Sequence, residues 1–160
     1  MRTTVTLVRA FVVASLATSP IAWAQTDAVI GTWKLNVAKS KYDPGPAPKG
    51  STLTFEVAGD GIKTTAKGQD AAGNPTSTGY TAKYDGKDYP VALLGTADFD
   101  TLSLRRIDAS RAEGTRKKAG KVVQTYTRVV SPDGKTLTLT VDGTDAKGRK
   151  VHNVIVYDKQ

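Results

Sequence analysis

Apolar and polar residues alternate along most of this chain. Leu53, Phe55 and Val57 alternate with Thr52, Thr54 and Glu56. Leu102 and Leu104 alternate with Thr101, Ser103 and Arg105, and Leu137, Leu139 and Val141 with Thr136, Thr138 and Thr140. A period of two sends successive side chains to opposite faces of an extended strand, giving one face to a core and one to water. Such half-buried strands belong to antiparallel sheets. The Thr, Val and Tyr content suits the same backbone.

Turn residues recur between these segments: Gly59-Asp60-Gly61, Asp70 to Pro75, Asp85-Gly86, Asp133-Gly134 and Asp145 to Gly148. Asp-Gly supplies the positive φ of tight hairpins. Pattern and turns together predict strands over 31–36, 51–58, 61–68, 77–84, 88–92, 100–108, 111–118, 121–130, 135–142 and 149–157. No sustained apolar stripe of helical period occurs after residue 24. Asp43-Pro-Gly-Pro-Ala-Pro48 is too proline-rich for a helix or an inner strand and reads as an extended crossing.

Residues 57–85 resemble residues 130–158. Val57-x-x-Asp60-Gly61 matches Val130-x-x-Asp133-Gly134 at an offset of 73. Gly68-x-Asp70-Ala71-x-Gly73 matches Gly143-x-Asp145-Ala146-x-Gly148 at 75, and Tyr84-Asp85 matches Tyr157-Asp158 at 73. Either two related three-strand units build the fold, or the likeness is what any Asp-Gly hairpins share. A repeated meander favours closure, because closure removes exposed edges. The expected fold class is all-β, a single antiparallel up-and-down β-barrel of about 8–10 strands.

The N-terminus follows another pattern. Arg2 and Arg9 precede the short apolar run Ala10 to Ala17, and Ala22-Trp23-Ala24 matches the small-x-small cleavage pattern. Residues 1–24 therefore read as a signal peptide cut before Gln25, and residues 25–160 as one barrel domain in the periplasm or outside the cell. The apolar run is far short of the roughly 20 residues that span a bilayer. The chain has no cysteine, so an exported domain would rest on its core rather than on disulfides.

The formal net charge of +8 is spread along the chain, and losing Arg2 and Arg9 lowers it by two. Its densest cluster is Arg111, Arg116, Lys117, Lys118 and Lys121, with no aromatic between Phe99 and Tyr126. Nucleic-acid surfaces interleave cations with stacking aromatics, so this cluster reads as a solvated hairpin and no nucleic-acid partner is expected. His152 is the only histidine and alternates opposite to Asn153 and Ile155, which turns it to solvent. With one histidine and no cysteine an ordinary zinc site is excluded. Ser103, Ser110 and Ser131 lack a nucleophile elbow. Asp98, Asp100 and Asp108 read as turn residues rather than paired catalytic carboxylates. No enzyme activity, metal or cofactor is expected.

Gly31-Thr32-Trp33-Lys34-Leu35 opens the first strand after the leader. Here the chain resembles the calycin group of lipocalins, fatty-acid-binding proteins and avidins, whose first strand carries Gly-x-Trp. It also resembles bacterial secreted lipocalin-like proteins of unassigned function, through Gly31–Asn36 and Val156-Tyr157-Asp158-Lys159. The resemblance implies a calycin-like barrel with Trp33 closing one end, often against an Arg or Lys. The helical lid of fatty-acid-binding proteins and the lipocalin Thr-Asp-Tyr motif are both absent; Lys87-Asp88-Tyr89 is a loose echo.

Tyr126 and Arg128 lie two apart and point to one side of a strand. The repeat sets Tyr126 against Leu53, Arg128 against Phe55 and Val130 against Val57, all expected inside. A buried arginine is costly unless paired. A ligand carboxylate could pair Arg128 bidentately while Tyr126 donates a hydrogen bond; alternatively Arg128 sits at a rim or caps Trp33, or Thr125, Thr127 and Val129 form the inner face. Fatty-acid-binding proteins hold a carboxylate with Arg-x-Tyr on the last strand, and here the order is reversed on an earlier strand. The same phasing turns Tyr80, Tyr84 and Asn153 inward. The candidate ligand site is thus Arg128, Tyr126, Tyr80, Tyr84 and Asn153, with Trp33 structural. Two functions follow: a carrier or sequestering protein for an apolar or anionic amphipathic molecule, or a packed barrel serving as an envelope-structural or protein-interaction module. The sequence leaves the oligomeric state open.

Overall fold

The computed structural model describes residues 27–94 and 98–160; the leader assigned to residues 1–24 lies outside the described residues. Alternation becomes strand wherever it was read. The strands are β1 (Gly31–Leu35), β2 (Gly50–Ala58), β3 (Gly61–Gln69), β4 (Pro75–Lys83), β5 (Tyr89–Pro90) and β6 (Ala92–Leu94), followed by β7 (Thr101–Arg106), β8 (Arg111–Lys118), β9 (Lys121–Val130), β10 (Thr136–Thr144) and β11 (Lys150–Lys159). A single 3₁₀ turn, Val37–Lys39, is the one helical element among the described residues.

All neighbours pair antiparallel in one sheet, in the order β5-β7-β8-β9-β10-β11-β1-β2-β3-β4-β6. The last strand returns to the first, with Trp33 opposite Lys159. The sheet is a nearly closed, calycin-like barrel. Its seam lies between β4 and β7. The expected strand 88–92 is two shorter ones here, because the chain feeds Tyr89–Pro90 to β7 and then Ala92–Leu94 to β4. An isolated Asp85–Arg105 bridge also crosses the seam.

The inner faces of β2, β9 and β10 bury Leu53, Phe55, Tyr126, Arg128, Val130, Leu137, Leu139 and Val141. Val57 departs from expectation: it keeps the inward phase but is 67% exposed. It pairs with Ile62, which is 1% exposed, so at this level the core is covered from β3 and Val57 is left uncovered near the end of β2. The matched turns have one geometry. Gly73 N donates to Asp70 O (3.1 Å) and Gly148 N to Asp145 O (2.9 Å), while Asp70 N and Asp145 N donate to Asn74 O and Arg149 O. The carboxylates then collect loop amides, Gly73 N on Asp70 Oδ1 and Arg149 N on Asp145 Oδ1.

No helical lid follows β1. Lys41 bridges Val154, and His152 N donates to Asp43 O at 2.8 Å, so this segment runs beside β11. Residues 44–48 then cross to β2 as the proline-rich extended crossing.

Candidate functional site

The chain enters at one end of the barrel and plugs it. Val29 and Trp33 are fully buried, and Trp33 Nε1 donates to Val29 O at 2.7 Å. Ala28 N donates to Ala109 O at 3.0 Å, tying the plug to the β7–β8 loop. Lys159 Nζ stands 4.8 Å from the Trp33 ring centroid, a cation–π contact. Trp33 thus closes one barrel end under a lysine, and the cap is Lys159 rather than Arg128.

Arg128 lies inside the barrel, 3% exposed. Its Nη2 donates to Tyr84 Oη at 2.6 Å and pairs with Asp27 Oδ2 at 3.2 Å. Tyr84 Oη donates to the same Asp27 oxygen, and Arg106 Nη2 reaches it at 3.0 Å from a partly exposed position. Asp27 is held in turn by Val29 N, which donates to its Oδ1 at 3.2 Å. Burial opposes the Arg128 charge, but the Tyr84 and Asp27 oxygens more than offset it and hold the guanidinium above the ordinary arginine value. Burial raises Tyr84 above the ordinary phenol value, against the pull of Arg128, so its hydroxyl keeps the proton it gives to Asp27.

On the other side of Arg128 is a cavity of about 250 Å³. Leu53, Leu102, Leu139 and Ile155 supply its aliphatic wall, and Tyr80 and Tyr126 face it with Arg128. Burial holds the Tyr126 phenol well above its ordinary value, with Tyr80 adding to the effect. Arg116 also lines it, its guanidinium carbon 4.7 Å from the Phe99 ring centroid and 4.9 Å from that of Tyr126. Four polar atoms of the lining residues are buried with no hydrogen-bond partner among the described residues: Arg128 Nε, Arg128 Nη1, Arg116 Nε and Thr64 Oγ1.

The expected site residues divide. Arg128, Tyr126 and Tyr80 share the cavity. Tyr84 stands behind Arg128, in the plug. Asn153 is outside: it lines an open pocket of about 420 Å³ beneath Tyr42 and Pro44, and its Oδ1 accepts from Asp43 N at 3.0 Å. Tyr80 and Ile155 both pair across to cavity residues, Thr64 and Leu139. Asn153, one pleat further along β11, falls at the rim. The bidentate clamp is also corrected. Nη2 is engaged, so a ligand would meet Nε and Nη1 as two separate donors.

Asp27, Arg106, Thr64 and Arg116 escaped the sequence reading. Arg116 was assigned to a solvated hairpin, yet the aromatics bounding that hairpin, Phe99 and Tyr126, clasp it. Its signal was parity: Ala112, Gly114 and Arg116 alternate on one face of β8, and the first two are buried. The neighbouring Lys117 does face solvent, paired with Asp88 at 2.8 Å. His152 is exposed and lies 2.6 Å from Asp142 Oδ1. Among the described residues no helix is long and apolar enough to cross a membrane.

No protein-family model matches the chain. No curated protein sequence matches it. Among solved structures it is similar to zebrafish ileal bile acid-binding protein complexed with cholic acid, at a TM-score of 0.50 and 13% identity, over 83% of this chain and 99% of that one. That likeness supports the calycin-like barrel.

Proposed function

We propose that this chain is a carrier or sequestering protein that takes a small amphipathic molecule into its barrel and holds an acidic head group on its interior arginines. One observation carries the reading: Arg128 Nε and Nη1, Arg116 Nε and Thr64 Oγ1 belong to residues lining a cavity of about 250 Å³ and are buried without partners among the described residues. Leaving a buried polar group unpaired costs about 1–3 kcal/mol, and more for a charged one. A ligand oxygen at these donors recovers that energy while its tail leaves water. The zebrafish protein similar in fold was crystallised with an acid, cholic acid, which agrees with this chemistry. Export belongs to the same proposal and rests on the leader pattern of residues 1–24.

Calorimetric titration with decanoate and with decanol tests it, on wild type and on Arg116→Gln. Arg116 is the choice because, unlike Arg128, it makes no ion pair among the described residues. Decanoate is expected to bind about tenfold or more tightly than decanol, as charge-assisted hydrogen bonds require, and to lose that margin in the variant. No binding of either compound, or equal binding of both with no effect of the variant, overturns the reading.

A further inference from the structure

The cavity's charge, size and wall also bear on which amphipath it takes. Among the described residues no carboxylate lines it. Arg128 has Asp27 opposite it, whereas Arg116 has only neutral groups: Gln124 Oε1, which accepts from its Nη1 at 2.9 Å, and the faces of Phe99 and Tyr126. Asp27 also serves Arg106, which is partly exposed and does not line the cavity, so of the two lining arginines Arg116 is the one with no carboxylate of its own among the described residues.

The space is small. Drug-sized ligands occupy pockets of about 300–1,000 Å³, and this one measures about 250 Å³. It adjoins a recess of about 170 Å³ under Tyr42 and Pro48, with which it shares Ala66, Thr78 and Tyr157, and an open pocket of about 530 Å³ beside Val91, with which it shares Thr64 and Tyr80. A long chain would have to run on into one of these neighbouring spaces and leave its end outside the cavity. The wall is unusually aromatic for a lipid tail: Phe55, Tyr80, Phe99, Tyr126 and Tyr157 are five of its fourteen lining residues. Rings prefer edge-to-face or offset contact with other rings beyond what area alone gives.

Resting on the carrier reading, we infer that the ligand is a compact aromatic monocarboxylate, of one ring with a short side chain or two fused rings, whose acid meets Arg116 Nε and one of the two free donors of Arg128 while its ring packs among these aromatics. The unpartnered donors ask for an anion, the charge count for a single one, and the volume with the aromatic wall for a flat, short body.

Competition calorimetry on the whole protein, refolded from denaturant to strip bound material, tests this with five probes: 2-naphthoate, its neutral amide, 2,6-naphthalenedicarboxylate, palmitate and cholate. The naphthoate is expected to bind at least about tenfold more tightly than each of the others. Tighter binding of palmitate or cholate, lost in Arg116→Gln, overturns the compact aromatic ligand and leaves the carrier standing. Tighter binding of the dicarboxylate overturns the single charge. Silence from all five probes overturns this inference and the carrier reading together.

Discussion

Asp27 Oδ2 stands 3.2 Å from Arg128 Nη2 inside the barrel, across 101 positions of sequence. The pair does two things. It makes a buried arginine tolerable, and by occupying Nη2 it leaves Nε and Nη1 as the guanidinium nitrogens with no partner among the described residues. A buried ion pair adds little relative to an apolar replacement, but removing one partner strands the other. Asp27→Asn is therefore expected to cost about 3–5 kcal/mol in urea unfolding. Arg106→Gln, whose side chain is 38% exposed, is expected to cost about 1 kcal/mol or less. The double variant Asp27→Asn/Arg128→Met should lose at least about 1 kcal/mol less than the sum of its parts. Equal small losses for Asp27→Asn and Arg106→Gln would show that the Asp27–Arg128 contact contributes nothing.

The interior tyrosines give a pH dependence with a fixed sign. Burial is the largest cause raising Tyr84, Tyr126 and Tyr157 above the ordinary phenol value of 10.0. A raised folded-state value means that the folded chain keeps protons that the unfolded chain releases. That stability is fully present below the unfolded value and drains away as pH rises past it. The urea midpoint should hold steady through neutral pH and fall above about pH 10. Tyrosinate absorbance from these three should appear together with loss of β-sheet circular dichroism, and Tyr126→Phe should flatten the alkaline fall. Smooth ionisation of all six tyrosines near pH 10 in a protein that stays folded would contradict this.

What the sequence made legible follows from the range of each interaction. Strands and hairpins are local: Leu137, Leu139 and Val141 declare a buried face over a few residues, and Asp133-Gly134 declares the turn before them. The barrel followed from the same pattern together with the first-strand tryptophan. Strand 88–92 broke because its partners are set by the seam, which no local pattern marks. Val57 carried the correct phase, but phase does not say which residue of a cross-strand pair the core covers, and here it is Ile62. Tyr126 and Arg128 could be placed by parity, and Asn153 could not be kept off the rim by the same rule. Arg116 was hidden by its basic neighbours. Asp27 was out of reach: it precedes the first alternating segment, and its partners Tyr84, Arg106 and Arg128 are joined to it only by the closed fold.

Gly114 offers a way to disturb the cavity without touching a charge. It lies opposite Tyr126 across β8 and β9. A Cβ built there would run into the Tyr126 ring and lie 2.7 Å from its hydroxyl. The bare backbone at 114 is what lets that ring lie flat on the barrel wall, where it contacts Arg116 and borders the cavity. Gly114→Ala should displace the ring, costing about 1–3 kcal/mol through overpacking, and should weaken carboxylate binding. Tyr126→Ala in the Gly114→Ala background should then cost less stability than in wild type, because the clash is gone. Gly120→Ala serves as the comparison. Its φ of +76° makes alanine strained, yet nothing lies within 4 Å of the added carbon. It should lose about 1 kcal/mol and bind decanoate as wild type does. Wild-type affinity in Gly114→Ala, measured by the same calorimetry, would mean that the position of Tyr126 does not shape the binding cavity.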